Sequence, residues 1–522
     1  MSEKRVLAAA ILSALFLAGY SQMLSRWYGP SDRRGSPAAA VTGQTPTPGT
    51  PLEPVTASSL QPLIKEDVIN IESGELRLEI GASSGAIRSA TLKKFRSSSN
   101  DSLLQFGDSL PLLSIQIGSG KISENINDTT ISSTSFNMID SSNKNYHLSY
   151  AIDSKNPILH IEVSSADPVS SPTEIVFISS WARGDKLDGK NNALESVLLT
   201  DLGQGKSKHE RHISPWRKEK IVPRGTLLAT LAERYFCSSL KPSTGTLAVS
   251  LVPSPDGTAA FTATAIASPD TSGRVSYTAD LYLGPRDYFY LDRAKFAQAI
   301  PVGAIGQIGL VFLMFLSWIG KLTGNYGVAI ILFSCLVSCA TAPFTLMSLK
   351  SMKKMQELKP QIDRIMAANK KDPTGANKEV FAIYKQHRVN PLSGCLPMLL
   401  QMPIFIALFQ AISHFIELRG KSFLWIRDLS FPDRLAKLPF SLPVLGSDLN
   451  ILPLIMAAAM YIQTKTSQGS MASTQTNPTA KMMSGPMMSI VFGIMFYQFP
   501  SGLVIYWLTN SLMSMALYKL VK

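Results

Sequence analysis

Asp, Glu, Lys and Arg are missing from the interiors of five apolar runs in the C-terminal part of this 522-residue chain: Gly327–Leu349, Cys395–Ile416, Ile451–Thr464, Met482–Phe499 and Leu503–Leu520. His414 lies near the end of one run and Lys519 at the end of another. A proton- or ion-coupled pump ordinarily needs an ionisable group at membrane depth, so the absence argues against that class. Cysteine is scarce as well: Cys335, Cys339 and Cys395 fall in or at the edge of apolar runs, which leaves Cys237 without a partner for a disulfide in the polar part. Cys335 and Cys339 share a helical face but have no His or carboxylate beside them, so they are expected to be small buried hydrophobes, and no metal or other cofactor is anticipated. Charged residues make up only 17% and hydrophobic ones 45%, for a mean hydropathy of +0.12. That is too apolar for an ordinary soluble enzyme and too mixed for a bare helical bundle, which predicts a membrane part joined to a soluble part.

The start of the chain is basic and then apolar. Lys4 and Arg5 precede Val6–Tyr20, which is expected to be an uncleaved signal anchor within residues 1–28, its N-terminus inside. Tyr20 stands where a lipoprotein signal ending in Leu17-Ala18-Gly19 would need Cys, which excludes lipidation there. Residues 29–62 are dominated by Pro, Thr, Ser, Ala and Gly and read as a disordered linker. Between 63 and 290, short β-rich runs (Glu75–Ile80, Tyr146–Ile152, Ile158–Ser165, Glu174–Ser180, Thr246–Pro253, Ala259–Ile266 and Arg274–Leu283) alternate with turn-forming stretches, which predicts an all-β antiparallel sandwich. Nothing there has a catalytic pattern: His209 and His212 sit among Lys206, Lys208, Glu210 and Arg211 and read as a solvated loop.

The orientation of the C-terminal part follows from one basic stretch. Residues 350–388 carry ten basic residues, from Lys350, Lys353 and Lys354 to Arg388, against Glu357, Asp363, Asp372 and Glu379, a net +6 that belongs in the cytoplasm. If Val302–Ile319 crossed the membrane, that stretch would land on the wrong side, so residues 291–324 are expected to hold a helix lying in the outer interface. Residues 325–522 then form a bundle of five spans, and the anchor makes six, with both termini inside. The spacing of Leu346, Leu349, Met352, Met355, Leu358, Ile362 and Ile365 predicts an amphipathic helix in the basic stretch, with a second helix over 376–387 folding back on it. Its Met stripe suits packing and also suits varied apolar clients.

Uncharged polar groups recur inside the spans. Ser334, Ser338, Thr341 and Thr345 line one side of a helix; Tyr506, Asn510 and Ser514 do the same on another, and Gln401 adds an amide from a third. Such groups hold helices together or bond back to their own helix. Three spans contributing to one region also fit a water-accessible groove.

Several stretches resemble the signatures of the YidC membrane protein insertases: Asn390 to Phe405, Glu417-Leu418-Arg419 with Leu424 to Ser430, and Phe499-Pro500-Ser501-Gly502-Leu503-Val504-Ile505-Tyr506-Trp507, with weaker echoes at Arg234-Tyr235-Phe236 and Leu281 to Pro285. The resemblance is to the Gram-negative type. It implies a polytopic α-helical membrane protein with a five-helix insertase core, an N-terminal anchor helix, a cytoplasmic helical hairpin and an all-β periplasmic sandwich domain. In that family the span after the Asn-Tyr/Trp-Gly motif usually carries an Arg thirteen residues beyond the Asn; counted from Asn325, this chain has Ser338.

The implied protein is not an enzyme. It is an inner-membrane insertase and chaperone with its large domain in the periplasm and its C-terminus in the cytoplasm. Its implied partners are nascent membrane proteins, the ribosome, membrane lipids and the Sec translocon, with no specific DNA binding. Ser334, Ser338, Thr341, Gln401, Tyr506 and Asn510 are the expected substrate groove, and Lys350, Met352, Lys353, Lys354 and Met355 the expected hairpin contacts. Two rival functions are a solute transporter, which would show inverted repeats and a midplane site, and an envelope scaffold acting through its β-domain.

Overall fold

The computed structural model describes residues 66–96, 102–107, 110–117, 121–126, 129–140, 142–181, 196–203, 206–212, 220–252, 259–300, 304–369, 372–387, 389, 396–442, 445–468 and 486–521. The expected anchor and linker, the stretch Asn390–Cys395 and Cys395 itself lie outside them, as does most of the loop expected inside at 465–481. The chain divides into two compact units, one ending at Pro301 and the other resuming at Val302.

In the first unit, residues that alternate apolar and polar do form strands, because a two-residue period puts one row of side chains inside and the next in water. Leu76–Gly81, Asn145–Ile152 and Ile158–Ser165 follow that pattern and bury Leu78, Leu148, Tyr150, Ile161 and Val163 almost completely. Among the described residues the strand pairings are antiparallel, and they link seventeen strands into one sheet. The sheet folds back on itself. Phe106 meets both Trp181 and Phe236, with ring centroids 4.6 and 5.4 Å apart, although the three lie on strands that share no ladder with one another. The Tyr150 hydroxyl donates to the Gly85 carbonyl at 2.9 Å, tying together residues 65 apart in sequence.

The described end of the chain in this unit is fastened at Glu66. Burial alone would raise its carboxyl, but hydrogen bonds from the hydroxyls and backbone N–H groups of Ser83 and Ser84 hold it below the usual range. At the other end, Asp287 caps the helix α1 (Tyr288–Arg293) by accepting from Phe289 N at 2.9 Å.

One expectation is corrected here. Residues Lys206–His212 are a strand, with His209 opposite Thr200 and His212 opposite Val197, so the histidines are not in a loop. Charge-rich sequence hid an edge strand, where polar side chains are tolerated.

The second unit is helical: α2 (Ala304–Thr323), α3 (Tyr326–Ala368), α4 (Pro373–Gln386), α5 (Leu396–His414), α6 (Leu452–Gln468), α7 (Pro486–Met495) and α8 (Ser501–Val521). Among the described residues, two stretches are long and apolar enough to cross a membrane, Gly306–Thr323 and the apolar part of α3, with mean hydropathies of 1.4 and 2.0. Asn325 starts α3 by accepting from Gly327 N and Val328 N, at 2.8 and 3.3 Å. From there α3 runs for 43 residues, so the first helix of the basic stretch is the continuation of the apolar one. Asp372 caps α4, and Met352, Met355, Leu358 and Val389 form the seam between the two hairpin helices.

Cys237 is fully buried in the first unit, and burial pushes its thiol up to about 12 despite the nearby Arg286. At pH 8 it is therefore the neutral thiol, which is a poor nucleophile. In the folded chain at pH 8, peptide mapping after maleimide treatment should find Cys237 unmodified, and the same treatment in urea should label it.

Candidate functional site

The helices of the second unit run alternately between two ends, one marked by the loop Glu417–Asn450 and the other by the hairpin. At the loop end the polar groups are fixed to one another. Asp433, 3% exposed, accepts from Ile451 N and Leu452 N, both at 2.9 Å, and from Trp425 Nε1 at 3.3 Å. Its carboxylate thus satisfies N–H groups at the start of α6 that have no partner within the helix. Asn450 donates its amide to the Tyr497 carbonyl at 2.7 Å, and the Tyr497 hydroxyl donates to the Asp448 carbonyl at 2.9 Å. Ser501 N and Gly502 N, at the head of α8, donate to the carbonyls of Phe431 and Leu429 at 2.8 and 3.0 Å. Tyr326 donates its hydroxyl to Glu417. A short β-hairpin, Ala436–Leu442 with Gly446–Leu449, forms the rest of the loop.

Below this end the helices are sealed by apolar packing. Trp507 lies 5.2 to 5.5 Å from Phe405, Phe492 and Phe496, which joins α5, α7 and α8 through edge and stacked contacts. Gly309 lets α2 press on α5, for a Cβ there would lie 3.0 Å from the Ala407 carbonyl oxygen.

Burial then falls off toward the hairpin. On α3, Phe333, Ser334, Val337 and Ser338 are buried, but none of Cys339–Met347 is. On α8, Ser501–Tyr506 are all buried, and beyond them only Ser511 is among the described side chains. Among the described side chains, Phe405 is the first buried one on α5, Gln401–Ile404 being more open, and Ala459 is the last buried one on α6. Pro343 and Pro403 fall in the open stretches of α3 and α5. Lacking an N–H, they leave the carbonyls of Cys339 and Leu399 without their helical donors.

The expected groove residues meet at the boundary between the sealed and open halves. Ser338 donates to Asn510 Oδ1 at 2.8 Å, joining α3 to α8. Gln401 donates its amide to the Tyr506 hydroxyl, joining α5 to α8 one turn away. The other hydroxyls turn back to their own helix: Ser334 to the Ile330 carbonyl at 2.6 Å, Thr341 to Val337 at 2.9 Å and Thr345 to Thr341 at 3.2 Å. In the hairpin, Lys350, Lys353 and Lys354 are exposed, whereas Met352 and Met355 are 9% and 3% exposed inside the seam. The Met stripe is therefore packing, not a free surface. Cys335 is half-buried and Cys339 exposed, which corrects the expectation that both are buried. Among the described residues no group of three or more His, Cys, Asp or Glu is placed to hold a metal ion.

Asp433 and Asn450 were not legible as structural residues. Asn450 carried the local signal of a polar residue just before an apolar helix, but Asp433 reaches that helix from eighteen residues away.

The family described as 60Kd inner membrane protein matches residues 318–522. The chain is 37% identical over 296 residues to the membrane protein insertase YidC of Geobacter sp. (strain M21), covering 55% of this chain and 51% of that protein. It is 29% identical to the membrane protein insertase YidC of Geobacter metallireducens, covering 98% of this chain and 97% of that one. Against several relatives matched at 36–38% identity, the alignment spans about half of their length. Among solved structures, the chain is similar to an active YidC insertase crystal structure with the first transmembrane domain resolved, at 19% identity and a TM-score of 0.37, covering 88% of this chain and 93% of that one.

Asp433→Ala removes the shared acceptor of α6. It should lower the unfolding stability of the detergent-solubilised chain by about 1–2 kcal/mol, in the upper range for loss of a helix cap, and Asp433→Asn should recover part of that. Equal melting of Asp433→Ala and the parent would show that the cap is not needed.

Proposed function

We propose, from its likeness to the YidC membrane protein insertases, that the chain is a member of that family and an inner-membrane insertase and chaperone that takes nascent transmembrane segments from the hairpin side and releases them sideways into lipid. The observation that carries this is the change in burial along α3, α5, α6 and α8, sealed toward the loop and open toward the hairpin. An opening of that kind shortens the dry path a polar tail must cross. Neutral hydrogen-bonding groups at its closed end, Ser338 with Asn510 and Gln401 with Tyr506, and the carbonyls freed by Pro343 and Pro403, keep it wettable without a buried charge.

The energetics need no nucleotide. A client helix of about 20 residues, each Leu-like residue contributing roughly −0.5 kcal/mol, has on the order of −10 kcal/mol available from partitioning alone. What the protein lowers is the barrier for the polar tail. A positive side chain at mid-membrane would cost about 2.5–3.5 kcal/mol on insertion-based scales, so Ser338 in the place of an Arg relieves the bundle of that burden and removes salt-bridge capture of acidic tails.

The assembly proposed around this groove has the first unit in the periplasm, a five-span core with α2 lying in the outer interface, an N-terminal anchor, and the hairpin in the cytoplasm. The exposed Lys350, Lys353 and Lys354 suit ribosomal RNA or lipid phosphates, and the Sec translocon is a further partner proposed from the family resemblance.

Two measurements test the proposal. Ser338→Ala combined with Asn510→Leu should slow insertion of clients with neutral polar tails into proteoliposomes by about threefold to tenfold, the size expected for losing one interhelical polar contact, with little effect on clients whose tails are apolar. A double variant as fast as the parent for every tail would sink the wet-groove account. Replacing Lys350, Lys353 and Lys354 by Gln should leave the melting temperature unchanged and reduce the salt slope of ribosome binding by about two to three. An unchanged slope would remove the hairpin from ribosome contact.

A further inference from the structure

The loop end of the helical unit presents a surface whose charges are unevenly engaged. Residues 417–450 contain four acidic side chains, and each is occupied: Glu417 accepts from Tyr326, Asp428 from Ser430 N and Oγ at 2.8 and 2.6 Å, Asp433 accepts from the head of α6, and Asp448 is ion-paired with Arg434, 3.2 Å from its Nε. Lys421, Arg427 and Lys437 are exposed, and none of them has an ion pair or hydrogen-bonded carboxylate among the described residues; Asp448, opposite Lys437 in the β-hairpin, is turned to Arg434. The loop therefore offers a net positive face although its formal charges nearly balance.

Large apolar side chains stand between these cations. Leu424, Leu435 and Phe440 are 74%, 46% and 59% exposed, and Trp425 shows its ring while its N–H is held by Asp433. Leu424 occupies the left-handed region, at φ 53°, in a tight turn closed by paired hydrogen bonds between Phe423 and Ile426. That conformation is unfavourable for a branched side chain, so water contact alone does not explain a leucine there.

The surface is continuous with the apolar flanks of the bundle. The end of α2 brings exposed Trp318 and Lys321 to the same level, where Gly320 packs on Tyr326 and Tyr326 reaches Glu417. Alternating aromatic, aliphatic and basic side chains at the rim of an apolar bundle match the boundary between acyl chains and headgroups, where rings sit at headgroup level and long cations reach outward.

We propose that this rim binds anionic glycerophospholipid in the leaflet that borders it, with Lys421, Arg427 and Lys437 holding the headgroup phosphate and Leu424, Trp425 and Phe440 entering the acyl boundary. Binding there would fix the depth of the sealed end independently of what enters the open one.

The test places the photoreactive residue p-benzoylphenylalanine at position 440 of the full chain, reconstituted in vesicles of phosphatidylglycerol and phosphatidylcholine in equal amounts. Lipid adducts read by mass spectrometry should favour phosphatidylglycerol by about threefold, as expected for clustered cations at an anionic surface. The variant Lys421→Gln, Arg427→Gln, Lys437→Gln should bring the ratio to one at unchanged melting temperature, with the hairpin lysines intact. A ratio of one in the parent, or a preference untouched by the three substitutions, overturns the proposal. Should the photoreactive chain fail to fold, phosphatidylglycerol retained on the unmodified parent in native mass spectra, compared with the triple variant, decides the same question.

Discussion

The buried carboxylate of Asp433 is the point on which the helical unit depends. Apolar helices without charges have little to fix their mutual positions, since side-chain packing in lipid lacks the hydrophobic drive available in water. One acceptor shared by two backbone N–H groups and an indole, backed by the Asn450–Tyr497 pair and by the N–H groups of Ser501 and Gly502, gives the loop end a fixed geometry. With that end determined, the hairpin half of the same helices is left loosely covered. Under the proposed function, this division would leave one end free to receive a client while the other holds the bundle's register.

Much of this was legible from residue patterns, though unevenly. Period-two alternation located strands such as Ile158–Ser165 to the residue, and the charge-free runs located the helices. Strands with polar or small residues on both faces, such as Lys206–His212, gave no alternation to read, because an edge strand draws its stability from one ladder and not from a buried face. The continuity of the span with the first hairpin helix was hidden for a different reason. A shift from apolar to basic residues marks a change of surroundings, and α3 passes through that change without ending, Pro343 and Pro360 included.

The polar residues of the core show where sequence stops short. Spacing placed Ser334, Ser338 and Thr341 on one face, but only Ser338 reaches another helix, while its two neighbours return to their own backbone. The difference lies in the partner: Asn510 stands opposite Ser338 and offers an acceptor, and no periodicity within α3 can report that. The same holds for Met352 and Met355, whose burial depends on the return of α4 and Val389 against them.

The length of α3 has a mechanical consequence. Forty-three residues make a rod of about 64 Å, roughly twice the hydrocarbon thickness of a bilayer. Its first turns pack beside α8 and its last turns carry the lysine-rich hairpin, with Pro343 in the less covered stretch between them. The arm from Pro343 to Ala368 is about 38 Å, and a tilt of about 10° sweeps its tip through about 7 Å while the fulcrum hardly moves. In the proposed groove, a pull on the hairpin would therefore act through that arm on the open stretch of α3.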